Sequence, residues 1–114
     1  MQRSYIELDP EEIPVIFDIS LAEDEFTMGL NYNQTFDYYT VDLWDIEGEP
    51  IVLGEKIVLN EPLFSSLIDE RLPAPSIVPF DESGKALAVT KENFYKTVFL
   101  TIDDLPAGDP DGDE

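Results

Sequence analysis

The sequence contains no cysteine and no histidine, and only 6 Lys+Arg stand against 26 Asp+Glu in its 114 residues. The missing cysteines exclude disulfides, thiolate nucleophiles, iron–sulfur clusters and cysteine-ligated zinc. The missing histidines remove the commonest general base and the commonest transition-metal ligand, and with them any Ser-His-Asp or Cys-His arrangement within one chain. Carboxylate pairs are the catalytic device that remains, but the acids fall mostly in turns and nothing marks a pair. No catalytic residue, no metal site and no cofactor is expected.

The scarcity of bases leaves a formal net charge of −20. Such a charge repels nucleic-acid phosphates and anionic membrane surfaces, so direct nucleic-acid binding is not expected. Basic protein surfaces are the complementary partners, and simple solubility is the competing use. No run approaches the roughly 18 apolar residues of a membrane span. Residues 1–14 (MQRSYIELDPEEIP) hold no apolar core of a secretory signal, so a protein made in the cytoplasm without a membrane anchor is expected.

What is present is a β-rich pattern. The length suits one domain, and 43% hydrophobic with 11% aromatic residues suffices for a core. Ile13, Val15, Phe17 and Ile19 alternate with Pro14, Ile16, Asp18 and Ser20, and Pro14 places this strand's start there or the strand at an edge. Glu23-Asp24-Glu25 reads as a charged turn before a strand in which Phe26, Met28, Leu30 and Tyr32 share one face. Tyr39, Val41 and Leu43 then oppose Thr40, Asp42 and Trp44. A turn around Gly48 follows, and Gly54 interrupts the next strand as a bulge or bend. Asn60 as a cap, Pro62 in a first turn, and the pairs Leu63/Leu67 and Phe64/Ile68 predict a helix over 61–69.

Pro73, Pro75 and Pro79 make an extended connector of 71–79. Residues 80–85 form a hairpin turn with Gly84 left-handed and Ala86–Thr90 as its returning strand. Phe94–Ile102 is apolar on both faces, which predicts a central strand. Residues 103–114 (DDLPAGDPDGDE) carry six carboxylates and no base, a composition unable to offset ordering entropy, so a flexible acidic tail follows a single β domain over 1–102. The pattern predicts a mainly β fold: a small antiparallel β-barrel or sandwich with one short helix near 61–69.

Residues 26–64 resemble the baseplate plug family of tailed bacteriophages. The resemblance rests on the order of Leu30-Asn31-Tyr32-Asn33, the aromatic strand Tyr39 to Trp44, Ile46-Glu47-Gly48, Ile51-Val52-Leu53-Gly54, Ile57-Val58-Leu59 and Pro62-Leu63. It continues through the hairpin-like stretch from Ser83 to Val89 and the closing strand Phe94 to Ile102, and spans about 13–102. Residues 33–38 (NQTFDY) depart from the pattern, and the chain is unusually acidic for it. The resemblance implies a virion structural protein of the tail baseplate without catalytic activity. Such a protein would pack with the hub and the tail-tube end as a plug, in several symmetric copies (three or six).

Edge strands around Ile13 or Ile51 could extend a neighbour's sheet. If the Tyr39/Val41/Leu43 face is core, Tyr38 and Trp44 are exposed interface anchors; the alternative puts Trp44 inside a closed barrel. With the acids beside them, Asp42 and Asp45, and the first tail residues, Asp103 and Asp104, they form the candidate interface. The functional alternative is a small acidic DNA-mimic inhibitor of a nucleic-acid-binding protein. Residues 1–55 hold 14 acids against Arg3 alone, so the N-terminal half is expected to meet a basic neighbour.

Overall fold

A computed structural model describes residues 4–65, 67, 69–73 and 76–103. Among these residues seven strands form two antiparallel sheets. Strand β1 is Ser4–Tyr5, β2 Val15–Leu21, β3 Asp24–Asn33, β4 Tyr38–Trp44, β5 Pro50–Lys56, β6 Ser76–Asp81 and β7 Val98–Asp103. One sheet has the order β2-β3-β4-β5 and the other β1-β7-β6. They do not close into a barrel, so the architecture is sandwich-like.

The period-two pattern fixes the sheet faces. Phe26, Met28, Leu30, Tyr39, Val41 and Leu43 point inward and are buried together with Ile77, Val98 and Leu100 of the other sheet. Full burial of each aliphatic side chain stabilises the fold by about 1.5–3 kcal/mol. A ladder of rings joins the sheets. Tyr32 packs on Tyr39 at 4.8 Å between centroids, Tyr39 on Phe94 at 4.2 Å, and Phe94 on Tyr95 at 4.9 Å. Tyr95 packs on Phe99 at 5.1 Å, and Phe99 on Tyr5 at 4.8 Å. The Tyr95 hydroxyl donates to the Ile6 carbonyl, and burial pushes its phenol up.

The expected central place of the last strand and the expected bulge at Gly54 are both found. β7 lies between β1 and β6, but it is shorter than the expected 94–102: it starts at Val98, Phe94 makes a lone bridge to Val98, and 95–97 are turn. Gly54 has φ +75°, and the β4–β5 register shifts between Val41 and Leu43. The first hairpin turns one residue earlier than the acids suggest. Leu21 pairs with Asp24, so Ala22 (φ 53°) and Glu23 (φ 74°) are the two central residues of a primed turn.

Three expectations are corrected. No described residue of 61–69 is helical. Asn60 and Phe64 both have φ 66°, which breaks a right-handed helix. Buried Leu63 instead donates its amide to Ile77 O at 2.8 Å, and Phe64 donates its amide to the Glu55 carboxylate. Tertiary bonds thus replace the helical ladder that the Leu and Phe spacing suggested.

Residues 86–90 form no strand, because the Asp81 carboxylate takes the amides of Lys85 and Ala86 and turns the chain away from a ladder. Conversely, 76–81 of the supposed connector and turn is strand β6, paired with β7 from Ser76↔Asp103 to Asp81↔Val98. Pro79 is tolerated there because β6 is an edge strand and its missing N–H faces away from β7.

Candidate functional site

The outer face of the four-stranded sheet is built by the alternate residues of its strands. On β4 these are Tyr38, Thr40, Asp42 and Trp44, all half-buried. On β3, Gly29 faces the same way and is buried beneath Trp44: a Cβ at Gly29 would stand 3.2 Å from Trp44 Cζ3 and 3.3 Å from Cη2. On β2 the exposed residues Ile16, Asp18 and Ser20 complete the face. The rows Ile16–Gly29–Asp42 and Asp18–Thr27–Trp44 cross the three strands. An apolar centre with carboxylates beside it thus lies on a sheet face whose β4 residues are half-buried and whose β2 residues are exposed.

Four of the sequence-based candidates fall on or beside β4. Tyr38 is half-buried; its hydroxyl accepts from Asn33 Nδ2 at 3.3 Å, and Lys56 Nζ sits 4.9 Å from its ring centroid. Trp44 is outside the core but pressed on the sheet, a position between the two that the sequence left open. Asp42 is internally engaged: Oδ1 accepts the Gly54 amide at 2.6 Å and Oδ2 accepts from Asn31 Nδ2 at 3.1 Å, so it fastens the bulge of β5. Asp45 accepts the amides of Glu47 at 3.0 Å and Glu49 at 2.9 Å and meets Arg71 at 3.5 Å. These amides first, and then Arg71, hold its carboxyl below the usual range. Asp103 ends β7 in the other sheet and does not share this face. Asp104 and the acidic tail after it lie outside the described residues.

One polar cluster escaped the sequence reading. Tyr32 donates its hydroxyl to Asp37 Oδ1 at 2.8 Å, the same oxygen accepts the Lys91 amide at 2.9 Å, and Lys91 Nζ sits 5.8 Å from the Tyr32 ring centroid. The hydrogen bond to Asp37 first, and some desolvation, push the Tyr32 phenol up to about 12. The backbone amide of Lys91 leads the causes that lower Asp37. Tyr32 and Lys91 border a cleft of about 340 Å³ with Pro10, Glu11, Ile13 and Tyr39. The signal was faint, because Asp37 and Lys91 are 54 residues apart and Asp37 sits in the stretch that departs from the family pattern.

Among the described residues no group of three or more acids is placed to hold a metal ion, and no helix is long and apolar enough to cross a membrane. No curated protein sequence matches the chain. A family model described as "Cyanophage baseplate Pam3 plug gp18" matches residues 3–106, nearly the whole chain and every strand described above. The chain therefore belongs to this phage baseplate plug family and is a structural protein of the virion tail.

Proposed function

We propose that the protein is an assembly element of the baseplate that packs with the central hub and the end of the tail tube. The observation that carries this reading is the family match over 3–106, which covers both sheets. Its chemistry suits adhesion rather than catalysis: it has no histidine and no cysteine.

The contact surface of this proposal is the outer face of β2–β4, with Trp44 and Tyr38 as aromatic anchors and Asp42 and Asp45 beside them; Asp103 and Asp104, at the start of the acidic tail, are a separate candidate contact. Charge supports that choice, since residues 1–55 carry 14 acids and one base, whereas 56–102 carry six acids and five bases. A basic neighbour on the hub would meet the N-terminal half, and several symmetric copies made in the host cytoplasm would assemble around the tail axis. The test is co-purification with hub and tube-end proteins at low and high salt. Complexes that form at 50 mM salt and weaken several-fold at about 500 mM support the reading. A chain that stays free of both proteins at low salt overturns it.

A further inference from the structure

The two sheets present four edges, and three are blunted. β1 spans only two residues. β5 begins at Pro50, carries the Gly54 bulge with two register shifts and ends at Lys56, all devices that discourage further pairing. β6 contains Pro79, and its outward carbonyls are occupied: Asn60 N donates to Pro79 O at 2.7 Å and Leu63 N to Ile77 O at 2.8 Å.

β2 has none of these protections. Seven consecutive pairs, Val15↔Leu30 to Leu21↔Asp24, run without a register shift, and the strand contains neither proline nor lysine. The two-residue turn makes Leu21 and Asp24 a hydrogen-bonded pair, so Val15, Phe17 and Ile19 also bond to β3. The N–H and C=O groups of Ile16, Asp18 and Ser20 therefore point away from the sheet. Among the described residues no backbone hydrogen bond from another element reaches them. The core is open on the same side. Val15, Phe17 and Ile19 face inward yet are only half-buried, whereas Phe26, Met28 and Leu30 beside them are fully covered. Ile16 is 67% exposed.

We infer that β2 is a docking edge for an extended segment of another baseplate protein, which adds a fifth strand to the sheet; this rests on the assembly role proposed above. The occupant alternates apolar residues, which cover Val15, Phe17 and Ile19, with Lys or Arg on the outer face. Asp18 lies at the strand's centre, and exposed Glu11, Glu12 and Glu23 flank its ends, so the edge complements a basic strand. It disfavours a second copy: antiparallel β2–β2 pairing about Asp18 would set two like charges directly opposite between chains of net charge −20 each.

Hydrogen exchange of the full-length chain, alone and in purified baseplates, reads this edge. Strand addition slows exchange at the Ile16, Asp18 and Ser20 amides at least about 100-fold in the baseplate relative to the free chain. Ile16→Pro and Ser20→Pro remove outward N–H groups without touching the β2–β3 ladder, and each cuts incorporation at least about ten-fold. Where a proline variant fails to fold, exchange of the native chain decides. If the three amides stay unprotected in baseplates that contain the chain, strand addition is overturned and the assembly role stands. If the free chain sediments as a dimer with those amides already protected, the occupant is a second copy and the proposal is overturned. Absence of the native chain from baseplates overturns the assembly role and, with it, this occupant.

Discussion

The indole of Trp44 lies across Gly29 of the neighbouring strand, in space that any side chain at 29 would occupy. Thr27, not Gly29, is the direct partner of Trp44, so the ring reaches diagonally over β3. It thereby gives the outer sheet face its apolar centre. Trp44 is also the single tryptophan of the chain, so intrinsic indole fluorescence reports this contact alone.

Gly29→Val is expected to lift the ring from the sheet. The overpacked position costs about 1–3 kcal/mol, and the emission shifts to longer wavelength as the indole gains water. Gly29→Ala, whose Cβ meets the ring at 3.2 Å, gives a smaller change in the same direction. Steady-state fluorescence with urea unfolding checks both. Unchanged emission in Gly29→Val would show that the ring is not seated on Gly29.

Asp81 should make the fold acid-sensitive. Its carboxylate accepts from the Ser83 hydroxyl at 2.7 Å and the Ser83 and Lys85 amides at 2.8 and 2.9 Å, and also from the Ala86 amide. The Ser83 hydroxyl leads the causes that bring its pKa down to about 2 from 3.8. A carboxylate depressed in the folded state stabilises fully above its unfolded value, and that contribution is lost as pH falls from about 4 through 2. Urea midpoints across this window are expected to drop in the parent and to change less in Asp81→Asn, which starts from a lower Tm.

The first hairpin carries removable strain. Ala22 and Glu23 adopt φ 53° and 74° in a turn that favours Asn-Gly. Ala22→Asn combined with Glu23→Gly is expected to raise stability by about 1 kcal/mol, read as a higher Tm. Neither residue belongs to the β2–β3 ladder, so its seven pairs are retained in the double variant.

Tyr32 should resist ionisation through its bond to Asp37. With the Tyr32 phenol pushed up to about 12 from 10.0 and Tyr39 and Tyr95 raised by burial, alkaline difference absorbance is expected to show several late tyrosines, one of which Asp37→Asn moves toward lower pH. A tyrosine whose pKa is raised in the folded state favours the neutral form there, so the stability it contributes is present below pH 10 and fades as pH rises toward 12. An Asp37→Asn titration identical to that of the parent would exclude the bond as the cause.

The family, the strand-rich class and the inward faces of β3 and β4 were legible in the sequence. The family showed as a resemblance carried by the order of short motifs, whereas the class and the inward faces rest on local alternation, and a buried face tolerates only one register. The helix over 61–69 was misread because the pairs Leu63/Leu67 and Phe64/Ile68 have helical spacing, whereas Leu63 and Phe64 are buried and bond to residues outside the segment. Strand β6 was hidden by Pro79, which is acceptable only because tertiary structure makes β6 an edge. Of the candidate interface, Tyr38, Asp42 and Trp44 were placed on one face by period two alone. That Asp42 and Asp45 spend their oxygens on Gly54 and on turn amides was invisible, since these bonds depend on a bulge and a turn geometry.

The sequence by itself determined the charge, the exclusion of cysteine and histidine chemistry, and which residues of each strand share a face, because composition and a two-residue period are local properties. Only the tertiary structure decided which strands are edges, which edges are blunted, and which half-covered face remains for a partner. Those depend on hydrogen bonds between segments far apart in the chain, such as Asn60 to Pro79 and Lys91 to Asp37, whose pairing no local pattern encodes.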